Sequence, residues 1–540
     1  MLPARPQQIS RREWCTVLAL TALILLAVAL PYVLAYGVPP DHVFAGALFN
    51  PMDGQSYLAK MREGWRGDWL FTLPYTADPG PGTFIFVYYL VLGHLARLLN
   101  VPLDGIYQWA RVLTSGFLLV SAYHFFARFF ESARARLGVW LLFALGSGLG
   151  WLAVPFGAVT SDFWVAEAFP FLSVLSNSHF CLAAGLMLWI FEWTLVAEPG
   201  DGQHAGALRR LGFTALAVTA LAIVQPMTLA VVGVVVAAVK ALEGLSQSRQ
   251  NGWPLPRLLR WRGWLPVLAV AVFAAPWVLY DFVVTLTQPQ VAGWNAQDVT
   301  PSPPAWNALL SGGLPLALAC AGVAALCWPR TGTQLRRRRP EMVAAALWLG
   351  LNVLLIYAPL SVQRRLALGI WTPIVILAGF AWQHLLWPRL QQRWKPLVVT
   401  GAVLLVLPSN LLVYAAVFSA IPKQAPEVFL TEDEAATLNW LGGQAQGQVV
   451  LASPGFSEFV PARTDERVVY GHPHETVMAT AHRQAVEDFF AGRILLGAFE
   501  AQYRVDYVVY GPREEALGPK PPLPGWHTVF QVGAVAVYGR

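Results

Sequence analysis

The chain has 540 residues, 56% of them hydrophobic and 13% charged, about half the charged share of an ordinary soluble domain. That balance excludes a wholly soluble protein. A formal net charge of +6 would suggest nucleic acid or acidic partners in a soluble chain, but here the basic residues follow a membrane topology, and no nucleic-acid partner is expected.

Apolar segments run at about 14–36, 106–129, 137–157, 178–197, 209–224, 227–243, 263–285, 306–328, 341–358, 365–386 and 396–418. They predict about 11 transmembrane helices, several of them reaching the roughly 20 residues a bilayer crossing requires. The first follows Arg5, Arg11 and Arg12. It is longer than a signal-peptide core and lacks a small-x-small cleavage site, so it reads as a retained anchor with a cytoplasmic N-terminus. Residues 84–99 are apolar but short and carry His94 and Arg97. Laid flat on the outer surface, they leave 21 of the 37 Lys and Arg in cytoplasmic segments and none in the outer loops at 158–177 and 286–305. The run Arg336 to Arg339 is the strongest single mark of sidedness. The expectation is a multi-pass plasma-membrane protein: a transmembrane module at 1–418 with a first external loop at 37–105, and an external α/β domain at 419–540.

In that last part, 448–453, 466–471, 505–510 and 534–538 are short β-rich runs, and 432–441 and 476–502 read as helices capped by Thr431 and Thr476. No G-x-G-x-x-G or G-x-x-x-x-G-K-[ST] follows a strand, so nucleotide binding has no motif behind it. Cys15, Cys181, Cys320 and Cys327 show neither C-x-x-C nor zinc-like spacing.

The chemistry-bearing residues cluster at the expected outer surface. Asp53 opens the helical pattern Tyr57, Leu58, Met61 just beyond the first span; it reads as an N-cap, as an active-site carboxylate, or as both. Asp162 and Glu167 lie in the next outer loop, followed by His179 at the mouth of a span. Carboxylates in a loop without basic residues suggest metal or hydroxyl binding, or simple solvation. Gln363-Arg364-Arg365 is a cationic turn set against the topological trend, with Arg111 at the same level. Arg forks hold phosphate oxygens bidentately, although such residues also snorkel to headgroups. His472-Pro-His474-Glu475 and His482 look like a metal set but read more simply as ordinary surface or core histidines.

This arrangement resembles the GT-C superfamily of polytopic membrane glycosyltransferases, in particular an uncharacterised bacterial branch. The resemblance rests on the N-in first span, a long outer loop opening with Asp53 and Tyr57, a second span beginning near Arg111, and late spans marked by Arg364-Arg365 and Pro373. Gly148-Leu-Gly-Trp151 and Arg467-Val-Val-Tyr-Gly-His472 with Glu475-Thr476 add to it. It implies hexosyl or pentosyl transfer from a polyprenyl-phosphate-linked sugar to an acceptor glycan, lipid or protein at the outer face. Asp53 would act as base, with Asp162 and Glu167 as further acids; Arg364, Arg365 and Arg111 would hold phosphate, and Tyr57 and His179 would line the substrate site. Membrane lipid is a further partner, and a divalent metal is left open as a cofactor. Asp53 is preceded by Met52 rather than by a second acid, and no W-W-D-Y-G motif occurs, which argues against transfer to Asn sequons. Two competing classes are a transporter or flippase, which calls for mid-span charges and inverted repeats not seen here, and a nonenzymatic scaffold with an external binding domain.

Overall fold

A computed structural model describes residues 8–38, 41–195, 204–251, 261–327 and 339–540. Within the described residues each predicted apolar segment falls mainly on helix, from Arg11–Tyr36 to the pair Lys395–Val406 and Pro408–Ala420. Among the described residues five helices are long and apolar enough to cross a membrane, or seven if each of two bent pairs is one span. Among the described residues, then, five to seven of the expected eleven segments meet that test. Ala133–Leu145 ends after 13 residues and meets Gly150–Phe156 at 44°, and the last segment breaks before Pro408 at 45°. Apolar composition reports neither helix length nor bends. Of the run Arg336 to Arg339, only Arg339 lies within the described residues, at the start of Arg339–Ile356.

The chain separates into two compact units. One contains 1–28, 111–279 and 300–416 and is helical. Its buried ion pairs, Arg128 with Glu192 and Arg136 with Glu13, sit at helix ends. Gly148 and Gly150 have a steric reason for being glycine. A Cβ at Gly148 would fall 2.0 Å from the Ser311 carbonyl oxygen, and one at Gly150 would fall 2.0 Å from Asp162 Oδ1.

The other unit contains 29–110, 280–299 and 417–540. Strand β1 (His42–Phe44) pairs antiparallel with β2 (Phe429–Thr431), His42 opposite Thr431. A second sheet has the order β4-β3-β5-β7-β6, with β3 (Val449–Leu451) parallel to both β4 (Arg467–Val468) and β5 (Tyr507–Tyr510). The hairpin β6 (His527–Val532) and β7 (Val535–Gly539) completes it antiparallel. Alternation along β3 buries two faces. Val450 joins Leu438, Leu58, Met61 and Tyr89 on one side, while Val449 and Leu451 join Phe489, Phe490 and Phe499 on the other. The first loop and the C-terminal segment thus share one core, and the last division between the units falls at 416/417, beside the expected boundary near 418. Thr431 caps Glu432–Leu441 through a capping box with Glu434, as its spacing predicts. Thr476 does not cap: its hydroxyl accepts from the Gly471 and His472 amides, and the predicted helix 476–502 is divided into Ala479–Phe490 and Leu496–Glu500.

The helix Pro51–Arg66, which carries Asp53, is seated on Val87–Leu99 by two glycines. A Cβ on Gly64 would stand 2.1 Å from the Leu90 carbonyl oxygen, and one on Gly93 would stand 1.9 Å from that of Met61. Backbone, unlike a flexible side chain, cannot yield cheaply there. Gly93→Ala is therefore expected to destabilise this unit by about 1–3 kcal/mol or more through overpacking, measured as a lower thermal midpoint in detergent, whereas Gly138→Ala, where a Cβ meets nothing within 4 Å, should leave the midpoint unchanged or raised.

Candidate functional site

The Asp53 helix begins abruptly. Asn50 is its N-cap in the left-handed region, φ 49°, and Pro51 follows with the φ a first helical residue needs. Asp53 accordingly lies in the first turn rather than at the cap, a place where the helix dipole favours a carboxylate. Its side chain is 48% exposed, and His472 Nε2 stands 3.9 Å from its Oδ1.

Ser56, Tyr57 and Lys60 follow Asp53 on the same helical face, since residues three and four apart are neighbours. Lys60 is buried, yet its ammonium is matched: Nζ donates to Glu475 Oε1 at 2.7 Å and to Ser56 Oγ at 2.5 Å, and lies 4.4 Å from the centre of the Phe86 ring. Ser56 Oγ donates to the same Glu475 oxygen at 3.0 Å. Burial alone would raise the Glu475 carboxyl, but Lys60, His472 and the Ser56 hydroxyl outweigh it and hold the group below its ordinary value. Burial, opposed by Glu475, brings the His472 imidazole down to about 4, and burial raises Glu458 to about 7. His474 Nδ1 stands 4.0 Å from Asp298 Oδ1. Tyr57 lies face to face with Tyr89, ring centres 4.8 Å apart, and packs against the core. Among the described residues no group of three or more His, Cys, Asp or Glu is arranged to hold a metal ion.

The remaining predicted residues belong to the helical unit. Glu167 is buried and pairs with Arg364, Oε1 to Nε 3.4 Å, and the Arg364 guanidinium lies 5.1 Å from the centre of the Trp164 ring. The turn bearing Arg364 and Arg365 is held by Arg364 N–H donating to the Thr300 carbonyl, and by Ser302 N–H donating to Gln363 Oε1. Asp162 is fully buried. It accepts from the Gly150 amide at 3.1 Å and from the Thr160 hydroxyl at 2.6 Å, which accounts for the glycine before it. Arg111 is 1% exposed and donates to the Val174 and Leu175 carbonyls, both at 3.3 Å, close to the C-terminus of Pro170–Ser176. His179 is buried in the first turn of Ser178–Thr194, its ring 4.0 Å from that of Phe180.

Structure thus joins Asp53 to residues that sequence reasoning sets aside or does not weigh: His472, Glu475, Lys60 and Ser56. The one local signal is a helical pattern in which Lys60 stands four residues from Ser56. The partners lie more than 400 residues away.

No family model and no curated protein sequence matches the chain. Solved structures do. Arabinofuranosyltransferase AftD from mycobacteria superposes with a TM-score of 0.53 at 16% identity over 100% of this chain, which spans only 40% of that protein. The oligosaccharyltransferase of Archaeoglobus fulgidus in the apo form gives 0.53 at 15% identity over 92% of this chain and 69% of that one. ArnT from Cupriavidus metallidurans bound to undecaprenyl phosphate gives 0.51 at 14% identity over 96% and 98%. At such identities the likeness is one of fold, and the chain has a GT-C-like fold.

The Lys60–Glu475 pair yields a sharp energetic expectation. Lys60→Met leaves a buried carboxylate without its cation and should cost about 3–5 kcal/mol, and Glu475→Gln should likewise strand the ammonium. The double variant, with neither charge, should lose far less than the two single losses combined. Thermal unfolding of the four proteins in detergent measures the coupling; additive losses would show that the pair is not coupled.

Proposed function

We propose that this protein is an integral membrane glycosyltransferase that moves a sugar from a polyprenyl-phosphate donor to an acceptor hydroxyl on the external face of the membrane. The observation that carries the reading is the half-exposed Asp53 carboxylate, set in the first turn of a helix within a GT-C-like fold. Two fold neighbours support it: ArnT, bound to undecaprenyl phosphate, and AglB, in complex with a dolichol-phosphate.

In the proposed reaction Asp53 removes the proton from the acceptor hydroxyl as its oxygen attacks the anomeric carbon. The bond to the lipid phosphate breaks, and guanidinium groups hold the departing anion. Arg364 is the first choice for holding it, because its partner Glu167 stands at 3.4 Å rather than in a tight bidentate fork, which leaves donors for phosphate oxygens. Arg365, on the same turn, is the second. Arg111 and Asp162 are committed to carbonyl, amide and hydroxyl partners of the protein, and they position rather than react. Tyr57, in the unit of Asp53, and His179, in the unit of Arg364, are the further candidates for substrate contact. The basic segments, Arg336 to Arg339 foremost, face the cytoplasm, and 419–540 lies outside.

Incubating the purified protein with radiolabelled polyprenyl-phosphate sugars tests the reading through loss of label from the lipid fraction. Asp53→Asn, which keeps the size but removes the basicity, should lower turnover about 10²-fold or more. Arg364→Ala should instead raise the apparent KM for donor about 10- to 150-fold, the equivalent of charge-assisted hydrogen bonds worth about 1.5–3 kcal/mol. Full activity in Asp53→Asn removes Asp53 from the chemistry. For orientation, a cysteine introduced at Arg337 should resist a membrane-impermeant thiol reagent in intact cells, and labelling from outside would reverse the topology.

A further inference from the structure

His472 has a feature that packing does not explain. Its side chain is 2% exposed, yet Nε2 has no hydrogen-bond partner among the described residues, although an unmet buried donor costs about 1–3 kcal/mol. The other ring nitrogen is fully used. Nδ1 lies 3.1 Å from the backbone nitrogens of both His474 and Glu475. A backbone N–H can only donate, so Nδ1 must present its lone pair and the ring proton sits on Nε2. The tight turn His472-Pro-His474-Glu475 therefore fixes the tautomer, and the N–H it fixes stands 3.9 Å from Asp53 Oδ1. Because burial keeps the imidazole neutral at pH 7, the ring offers a dipole and a donor rather than a charge.

We infer that His472 is a positioning residue for Asp53: its Nε2–H receives the carboxylate, orients it and favours its ionised form. A distance of 3.9 Å is too long for a hydrogen bond. Inward rotation of the half-exposed Asp53 side chain would close that gap and satisfy the buried donor. Rotation of Asp53 rather than of His472 is the expected motion, since the imidazole is held by two amides and packed beside the Tyr75 ring. The charged and titratable groups around the pair are Lys60 and Glu475, bonded to each other; Glu458 and Tyr89, each coupled to Asp53; and His474, which faces Asp298. With the Lys60 charge spent on Glu475, the His472 N–H is the donor the turn directs at Asp53. This inference rests on the reading of Asp53 as the base, but its test needs no transfer reaction.

Full-length protein in detergent is treated with a water-soluble carbodiimide and glycine ethyl ester across about pH 4 to 8, and modification of Asp53 is read by mass spectrometry. The reagent consumes the protonated carboxyl, so the midpoint follows Asp53 ionisation. His472→Phe keeps a ring but removes the donor; its Asp53 midpoint should rise by about half a pH unit or more, or about threefold more labelling at a given pH above the midpoint. His472→Gln carries an amide N–H at the place of Nε2 and should restore the wild-type midpoint. An unchanged midpoint in His472→Phe overturns the inference. So does an equal shift in His472→Phe and His472→Gln, which would mark general loosening of the turn. If the donor substrates above are never turned over while the midpoints behave as expected, the function fails and the pairing stands; turnover with unmoved midpoints gives the reverse.

Discussion

A buried ion pair between residues 415 positions apart, Lys60 and Glu475, fastens the Asp53 helix to the turn that carries His472. Neither charge is tolerable alone in that setting, because an uncompensated ion out of water is far more expensive than the pair is stabilising. The pair therefore acts less as a source of stability than as a condition of correct assembly. Only a register that brings Glu475 to Lys60 leaves both satisfied, and the same register directs His472 Nε2 at Asp53. The two glycines beneath the helix complete the constraint, setting its distance from Val87–Leu99 at backbone contact.

Within each unit, polar groups divide according to how deeply they are buried against the chain. Asp162 and Arg111 are buried and turned toward the chain itself. Asp53 keeps half its surface open, and Arg364 meets its carboxylate partner loosely. Equal charge in the sequence thus covers two different kinds of residue, those buried against the chain's own groups and those that stay partly exposed.

That division marks the limit of what could be read from the amino acids. The helical segments were legible because apolar runs leave little alternative, and Thr431 was legible as a cap because a capping box is complete within four residues. β1, β2 and β6 were not: two are three-residue strands whose partners lie far along the chain, and the third is a largely exposed strand with little apolar alternation. Thr476 misled because its hydroxyl serves a turn rather than a helix, and both uses look alike locally. His472 escaped because its spacing was weighed for metal binding, whereas its role depends on which nitrogen the backbone occupies. The change of composition near 418 carries no sign that the β-rich sequence beyond it shares a core with a distant helical loop, as Val450 does with Leu58 and Met61.

The pairing of β1 with β2 bears on how the molecule is made. Val43 emerges from the ribosome early, and Leu430, its partner in the ladder, follows nearly 400 residues later. At about 5–20 residues per second, the wait is roughly 20 to 80 s. During that interval Lys60 has no Glu475, and the apolar face of its helix has no sheet to cover it. The core of the N-terminal loop is therefore incomplete until the chain has passed β2 and Glu475, so a delay in synthesis lengthens the time for which that apolar face stands open.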